Sequence, residues 1–411
     1  MKAVILAAGK SSRFWPLNYR HKSLFYLMGK PLLYWNLLGL EKVGIKEVII
    51  VESPKRDVEK EIKKFKFKNL KLRYVIQPKP ISTGNALWHA RDFLDENFFV
   101  LNGDVLNSEE ILKEMLKKIK KEKKPVIAGQ KTKAPWLFGI MELKKDRIVK
   151  IIEKPKKGEE PSNIKNVGVY YLEPSFFSYY KKVKKGPADL IDALSEYMKE
   201  KEVKLALIKK EESKTPAFLK YPWHLFGSRD YLFEKYLERK IENTAKISKE
   251  VTIKGKVYIG KNTKILEGTT IKGPCYIGEN CFIGNNCIIE GYTNIESNAM
   301  VGAFSRIKGS IFQKSSCIYS SYVADSIIGE ETQIGENVKI LNINEKGKEI
   351  LSEVKGEIVN TGLKSFGTII GKASIIGTEV EILPGKFIGS DCRIHPNNII
   401  KENIKDGAVL K

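Results

Sequence analysis

From Ile247 an aliphatic residue returns at every sixth position, through Ile253, Ile259, Ile265, Ile271, Ile277, Ile283, Ile289, Ile295, Val301 and Ile307. The register slips near Gln313 and resumes as Ile328, Ile334 and Ile340. After a mostly polar stretch, residues 341–365, it returns as Ile370, Ile376, Ile382, Ile388, Ile394 and Ile400. A helix repeats near 3.6 residues and a half-buried strand repeats at two, so neither alone gives this period. A hexapeptide repeat is the mark of a parallel β-helix. Each hexad then supplies one short strand and a turn, and three hexads close a triangular coil. The periodic aliphatic side chain points to the axis. Gly often follows it, as at Gly260, Gly278, Gly284, Gly329, Gly371, Gly377 and Gly389. Gly suits corners where a side chain would collide or where φ must be positive.

The position four after each periodic residue should be small and packed. Cys275, Cys281 and Cys287 occupy it. They read as buried packing thiols, since no His lies in these hexads to help close a zinc shell. Five cysteines, an odd count without a secretion signal, argue against a disulfide framework. No run of eighteen apolar residues occurs, so no membrane span is expected and a cytoplasmic protein is the default. Over about residues 245–405 the chain resembles the left-handed β-helix of the hexapeptide-repeat acyltransferases. That resemblance implies a homo-oligomer, with a trimer through the β-helix as one form.

The length of 411 residues predicts two domains, 1–240 and 241–411, with a loop at about 341–365 extruded from one coil. Residues 1–240 carry 51 basic and 30 acidic side chains, and residues 241–411 carry 21 and 19. Such an excess attracts polyanions such as nucleotides. No stripe of interleaved aromatic and basic residues points to nucleic acid. Runs such as Lys117–Lys124 read as solvated helix faces, and Lys and Glu enrichment is also common in thermophile proteins.

In the first half, strand-like runs alternate with helical patterns. Strands are expected at Ala3–Ala7, Val48–Val51, Leu72–Ile76, Phe98–Leu101, Val126–Ala128, Val167–Leu172 and Leu205–Ile208. Helices are expected within Leu32–Val43, Asn85–Leu94 and Ile111–Lys121. That order predicts a mixed, mostly parallel sheet with helices on both faces. Ligands in such folds bind beyond the carboxyl ends of the strands. The first such loop runs from Leu6 to Leu17. It is not a P-loop, because Val4 stands where that motif needs Gly, and no GxGxxG fingerprint occurs. Its backbone N–H groups can cradle phosphates, and Arg13 can add charge-assisted hydrogen bonds.

Here the chain resembles the sugar-phosphate nucleotidylyltransferases. Their opening motif is matched by Ala7, Gly9, Arg13, Pro16, Leu17, Lys22 and Gly29-Lys30-Pro31. Ser11 replaces the motif's second glycine, and His21 replaces the proline before its lysine. Gln77 and Thr83-Gly84 match the block that reads the base, and Asn102-Gly103-Asp104 the block supplying a metal-binding carboxylate. Phe138-Gly139 stands for the pair bordering the sugar, Glu153-Lys154-Pro155 for the block contacting sugar hydroxyls and phosphate, and Asn166–Tyr170 for the strand below the sugar. The position of a second metal carboxylate falls on His224, with Glu212 and Asp230 nearby. The remaining histidines, His21, His89 and His395, stand alone and read as structural or surface residues.

The resemblance implies an α/β Rossmann-like nucleotidyltransferase domain followed by the left-handed β-helix. It implies a Mg²⁺-dependent reaction of a nucleoside triphosphate with a sugar-1-phosphate, with no nucleic acid or membrane as partner. Arg13 would neutralise the leaving phosphates, Lys22 would bridge the two reacting phosphates, and Asp104 would hold the metal. Both halves together resemble archaeal bifunctional nucleotidyltransferase/acetyltransferases. Tyr319 occupies the position of their acetyl-transfer histidine, so acetyltransferase activity is not expected. The competing reading is a catalytically weak or inactive regulatory relative on the same scaffold.

Overall fold

The computed structural model describes residues 1–183, 189–210, 216 and 219–411. Packing divides the chain into two compact units. One comprises Met1–Lys10 and Pro31–Phe218, and the other Ser11–Lys30 and Leu219–Lys411. The segments 11–30 and 219–240, which the sequence reading placed with the first domain, thus pack with the β-helix.

The first unit is built on one mixed sheet. Its strands are β1 (Lys2–Ala7), β2 (Glu47–Glu52), β3 (Lys71–Ile76), β4 (Phe98–Asn102), β5 (Val126–Lys131), β6 (Gly139–Lys144), β7 (Arg147–Glu153), β8 (Ile164–Leu172) and β9 (Val203–Ile208). Their spatial order is β3-β2-β1-β4-β8-β5-β9-β7-β6. The strands β3, β2, β1 and β4 run parallel, while β8 lies antiparallel to β4 and β5. The hairpin β6–β7 was not expected from sequence. Its alternation is interrupted by a shift between Glu142 and Leu143 that breaks the period-two signal. Strands of the parallel set, such as Val48–Val51, are buried on both faces and therefore read as continuous apolar runs.

Helices α1 (Leu32–Lys42), α2 (Asp57–Ile62), α3 (Thr83–His89), α4 (Ser108–Glu122) and α5 (Leu190–Glu200) accompany the sheet. In α4, Ile111, Leu112 and Met115 are buried, while Lys113, Lys117, Lys120 and Lys121 are exposed, and Lys113 and Lys117 pair with Glu109 and Glu114 about one turn away at 2.6 and 2.7 Å. The lysine run is therefore a solvated face, worth little to stability pair by pair.

The second unit contains α6 (Leu225–Tyr236) and the β-helix, whose three parallel sheets hold 8, 9 and 8 strands. Register confirms three hexads per coil, since Ile259 lies over Ile277 and Ile277 over Ile295. The axis is a dry column of buried aliphatic residues. The slip near Gln313 has a simple cause. Phe312, Ile318, Val323 and Ile328 all join the column, so the three steps ending at Phe312, Val323 and Ile328 are shortened to five residues without leaving the core. The excursion at 341–365 contains a hairpin, Leu351–Val354 with Glu357–Asn360.

Cys275, Cys281, Cys287 and Cys392 are buried, and burial pushes the thiols of Cys275 and Cys281 up to about 12. Native protein at pH 8 should therefore leave these four unmodified by a thiol reagent, with slow reaction at the half-buried Cys317 only. Denaturation should expose all five. Rapid native labelling of Cys281 would contradict the packed column.

Candidate active site

In the first unit the strand order reverses between β1 and β4, and ligand crevices of open α/β sheets form at such switch points. Leu6 lies opposite Asn102, and the Gly103 N–H donates to the Leu6 carbonyl at 3.2 Å. The loop after β1 therefore sits beside the Asn102-Gly103-Asp104 turn. The Asn102 carbonyl accepts from Asn36 Nδ2 at 2.9 Å, which fixes that turn from α1. Asp104 is 4% exposed. Ala7 is buried at the end of β1, and Gly9 lies exposed just beyond it. A Cβ on Gly9 would meet nothing within 4 Å, and its φ is not positive. The fold does not require Gly there, so the open space is available to a ligand. Gly9→Ala should leave the melting temperature unchanged and raise the KM for nucleotide about 10-fold, a methyl meeting a bound phosphate rather than protein. Unchanged KM would remove Gly9 from the site.

A bulge in β8 between Asn166 and Tyr170 closes another side. Gly168 adopts φ +70°, its N–H donates to Asn166 Oδ1 at 2.9 Å, and Asn166 Nδ2 donates to the Tyr170 hydroxyl at 2.8 Å. A Cβ on Gly168 would lie 3.6 Å from Asn102 Nδ2, so the bulge faces the Asp104 turn. At the end of β7, Glu153 stands over Gly139, where a Cβ would come within 2.4 Å of its Oε1. Gly139 thus makes room for that carboxylate. Lys154 is exposed with φ +45°, an uncommon conformation for a non-glycine residue, held by its N–H donating to the Phe138 carbonyl at 3.0 Å. Burial, then the Asp189 charge, raises the Glu153 carboxyl above its ordinary value.

Gln77 is 2% exposed, and its amide Nε2 donates to the Ser82 carbonyl at 3.2 Å and to Asn85 Oδ1 at 2.8 Å. It shapes the turn into α3, where Ser82 caps the helix by accepting from the Asn85 N–H. Thr83 and Gly84 open that helix. The Thr83 hydroxyl donates to Asp189 Oδ1 at 2.6 Å. Asp189 was missed in the sequence. A lone Asp before Leu190 reads as a helix cap, which it also is, accepting from the Leu190 N–H at 2.7 Å.

Arg13 and Lys22 belong to the second unit. Ser11 adopts φ +51°, which explains why the family motif has glycine there. Its hydroxyl accepts from the Lys22 N–H at 3.1 Å, tying the two ends of the loop together. His21 caps the turn Lys22–Leu24 through Nδ1, a role that replaces the rigidity of the motif's proline. Lys22 Nζ donates to the Leu219 carbonyl at 2.9 Å. Arg13 is exposed and makes no ion pair among the described residues. His224 stacks edge-on against Tyr221 and Trp223, and its Nδ1 accepts from the Lys220 N–H, so packing accounts for it. Asp230 pairs with Arg229 at 2.7 Å, and Glu212 lies outside the described residues.

The chain belongs to the nucleotidyl transferase family, whose model matches residues 2–240, and a model of the GMPPB C-terminal domain matches residues 271–410. It is 38% identical over 416 residues to "Bifunctional protein GlmU" of Methanococcus maripaludis strain C7, covering 100% of this chain and 97% of that protein. It is 32% identical over 418 residues to "Bifunctional sugar-1-phosphate nucleotidylyltransferase/acetyltransferase" of Sulfurisphaera tokodaii, covering both chains in full at 100%. Among solved structures, UTP-bound UGPase from Acinetobacter baumannii is similar at 20% identity, covering 57% of this chain and 94% of that one, with a TM-score of 0.49. Among the described residues no helix is long and apolar enough to cross a membrane.

Proposed function

We propose that the protein joins a nucleoside triphosphate to a sugar-1-phosphate, giving a nucleotide sugar and pyrophosphate. The observation that carries this reading is the switch point. An open glycine loop and a buried carboxylate turn meet there, in a chain that belongs to the nucleotidyl transferase family. A sugar-phosphate oxygen attacks the α-phosphorus, and the bond to the β-phosphate bridging oxygen breaks. The nucleophile is already anionic, so no base is needed. The catalyst must instead suppress repulsion between two anions and hold them in line. Arg13 neutralises the leaving β,γ-phosphates, and Lys22 sits where the two phosphates meet. Gln77 sets the turn that presents Thr83 and Gly84 to the base. Glu153 and Asn166 accept and donate hydrogen bonds to sugar hydroxyls, and Lys154 orients the sugar phosphate.

Among the described residues no group of three or more His, Cys, Asp or Glu could hold a metal by itself. The single hard carboxylate of Asp104 fits Mg²⁺, which takes one or two protein carboxylates and fills its shell with water and phosphate oxygens. When bound, Mg²⁺ would neutralise charge on those phosphate oxygens. A pyrophosphate-release screen over four nucleotides and several sugar-1-phosphates, with and without Mg²⁺, tests the proposal. Release from one pairing supports it, while nucleotide binding without release in any pairing supports the regulatory relative.

The same proposal assigns no acetyl transfer to the β-helix. A hydrogen bond to Cys317, with its charge and burial, raises the Tyr319 hydroxyl above its usual value, leaving even less tyrosinate at neutral pH to accept a proton. Acetyl-CoA-dependent modification of an amino-sugar phosphate would overturn this. The proposed site is cytoplasmic, and the proposed assembly is a homo-oligomer, which sedimentation would show as a mass above one chain.

A further inference from the structure

The second unit holds a row of buried polar side chains on one outward side of its β-helix. Asn294, Glu296 and Gln313 are at most 1% exposed, and Glu330 is 7% exposed. Buried polar groups are costly unless bonded. Their partners are the residues flanking Lys22. Gln313 donates through Nε2 to the Tyr26 carbonyl at 2.9 Å and accepts from the Tyr26 N–H at 3.4 Å. Asn294 Oδ1 accepts from the Met28 N–H at 2.9 Å. Glu296 accepts from the Gly29 N–H at 3.2 and 3.1 Å and from Asn294 Nδ2 at 2.9 Å. Arg20 pairs with Glu330. Near Arg13, Trp15 Nε1 donates to Asp406 Oδ1 at 3.1 Å. Gly29 has φ +73°, and a Cβ there would lie 2.5 Å from the Tyr276 hydroxyl. The β-helix therefore bonds to backbone groups of Tyr26, Met28 and Gly29.

We infer that the β-helix is the positioning scaffold of the phosphate-handling loop, with Asn294, Glu296, Gln313 and Glu330 as positioning residues for Lys22. The inference rests on the transfer reading above. The hexapeptide repeat needs none of these four residues for its own core, which lies on the axis. Their burial answers to the loop alone. Losing them loosens the segment that carries Lys22, and a misplacement of about 1 Å costs up to about 100-fold in rate.

Burial raises the Glu296 carboxyl to about 7. Asn294, the Gly29 N–H and Lys314 act against the rise, and Glu330 adds to it. The Tyr276 hydroxyl and the Cys281 thiol also feel the Glu296 charge. A carboxyl raised from 4.5 in the unfolded chain to about 7 in the fold stabilises below 4.5, and that contribution is lost as pH rises to 7. The melting temperature of wild type minus that of Glu296→Gln should therefore fall between pH 5 and 8, the other groups being common to both proteins.

The test uses the full chain. Glu296→Gln, Gln313→Leu and Arg20→Gln are measured for kcat, KM and hydrogen exchange at the Met28 and Gly29 amides. Arg306→Gln, whose exposed pair with Glu290 lies on another side, is the control. The expected result is a kcat lower by about 10-fold or more with little change in KM, and exchange faster by about 10-fold or more, in the first three only. Arg20→Gln removes the loop's half of the pair with Glu330 and leaves the β-helix sequence itself unchanged, so it reports even if a variant within the β-helix fails to fold. Exchange and kcat unchanged in Arg20→Gln and Gln313→Leu overturn the inference. An inactive wild type would instead count against the transfer reading, and the exchange arm would still decide the positioning.

Discussion

Asp104→Asn is expected to lower pyrophosphate release by at least about 100-fold, as removal of one focused electrostatic contact does in other transfer enzymes. Cooperative melting should survive. The Asn102-Gly103-Asp104 turn is held by backbone bonds, Asn36 Nδ2 to the Asn102 carbonyl and the Gly103 N–H to Leu6, and neither uses the Asp104 carboxylate. The substitution keeps the side chain's shape and removes one negative charge. If the carboxylate only shaped the turn, turnover would barely change, and Asp104 would leave the mechanism. Equal loss at all Mg²⁺ concentrations would also argue that it holds no metal, since weakened binding is relieved by more ion.

The β-helix carries the second large expected effect. Ile283 is fully buried, with Ile265 and Val301 in register above and below. Ile283→Ala should cost about 2–5 kcal/mol, because the column cannot collapse around a missing side chain. At the neighbouring corner, a Cβ on Gly284 would lie 2.5 Å from the Ala303 backbone nitrogen. Gly284→Ala should cost about 1–3 kcal/mol by overpacking. Urea unfolding followed by far-UV circular dichroism reads both. A loss below about 1 kcal/mol for Ile283→Ala would mean that the periodic residue is not at the axis.

The sequence carried the β-helix plainly because one physical need repeats in every coil. A dry axis demands an aliphatic residue at fixed spacing, and chain geometry fixes that spacing at six. The shortened turns ending at Phe312, Val323 and Ile328 hid from the count because five-residue turns keep the axis while breaking the arithmetic. In the first unit, Val48–Val51 and Phe98–Leu101 were legible as runs, whereas β6 and β7 were not, their exposed and shifted residues blurring the pattern. Asp104 and Arg13 could be found because short motifs preserve spacing around them. Asp189, Gln313 and Glu296 could not, since each meets its partner only after folding, with Tyr26 and Gln313 287 residues apart in sequence. Ser11 and His21 were read as departures from a motif. The structure gives each a local bond that takes over the work of the residue it replaces.

In the proposed reaction the α-phosphorus of a nucleoside triphosphate moves to a sugar phosphate, with Arg13 and Lys22 offsetting the repulsion between the two anions. Two labelled triphosphates test it most directly. With the responsive pair of substrates, label on the α-phosphorus should appear in the nucleotide sugar and label on the γ-phosphorus in pyrophosphate. Arg13→Ala should slow both by about 100-fold or more. Label on the γ-phosphorus appearing in orthophosphate or in the sugar product, or transfer unchanged in Arg13→Ala, would contradict the account.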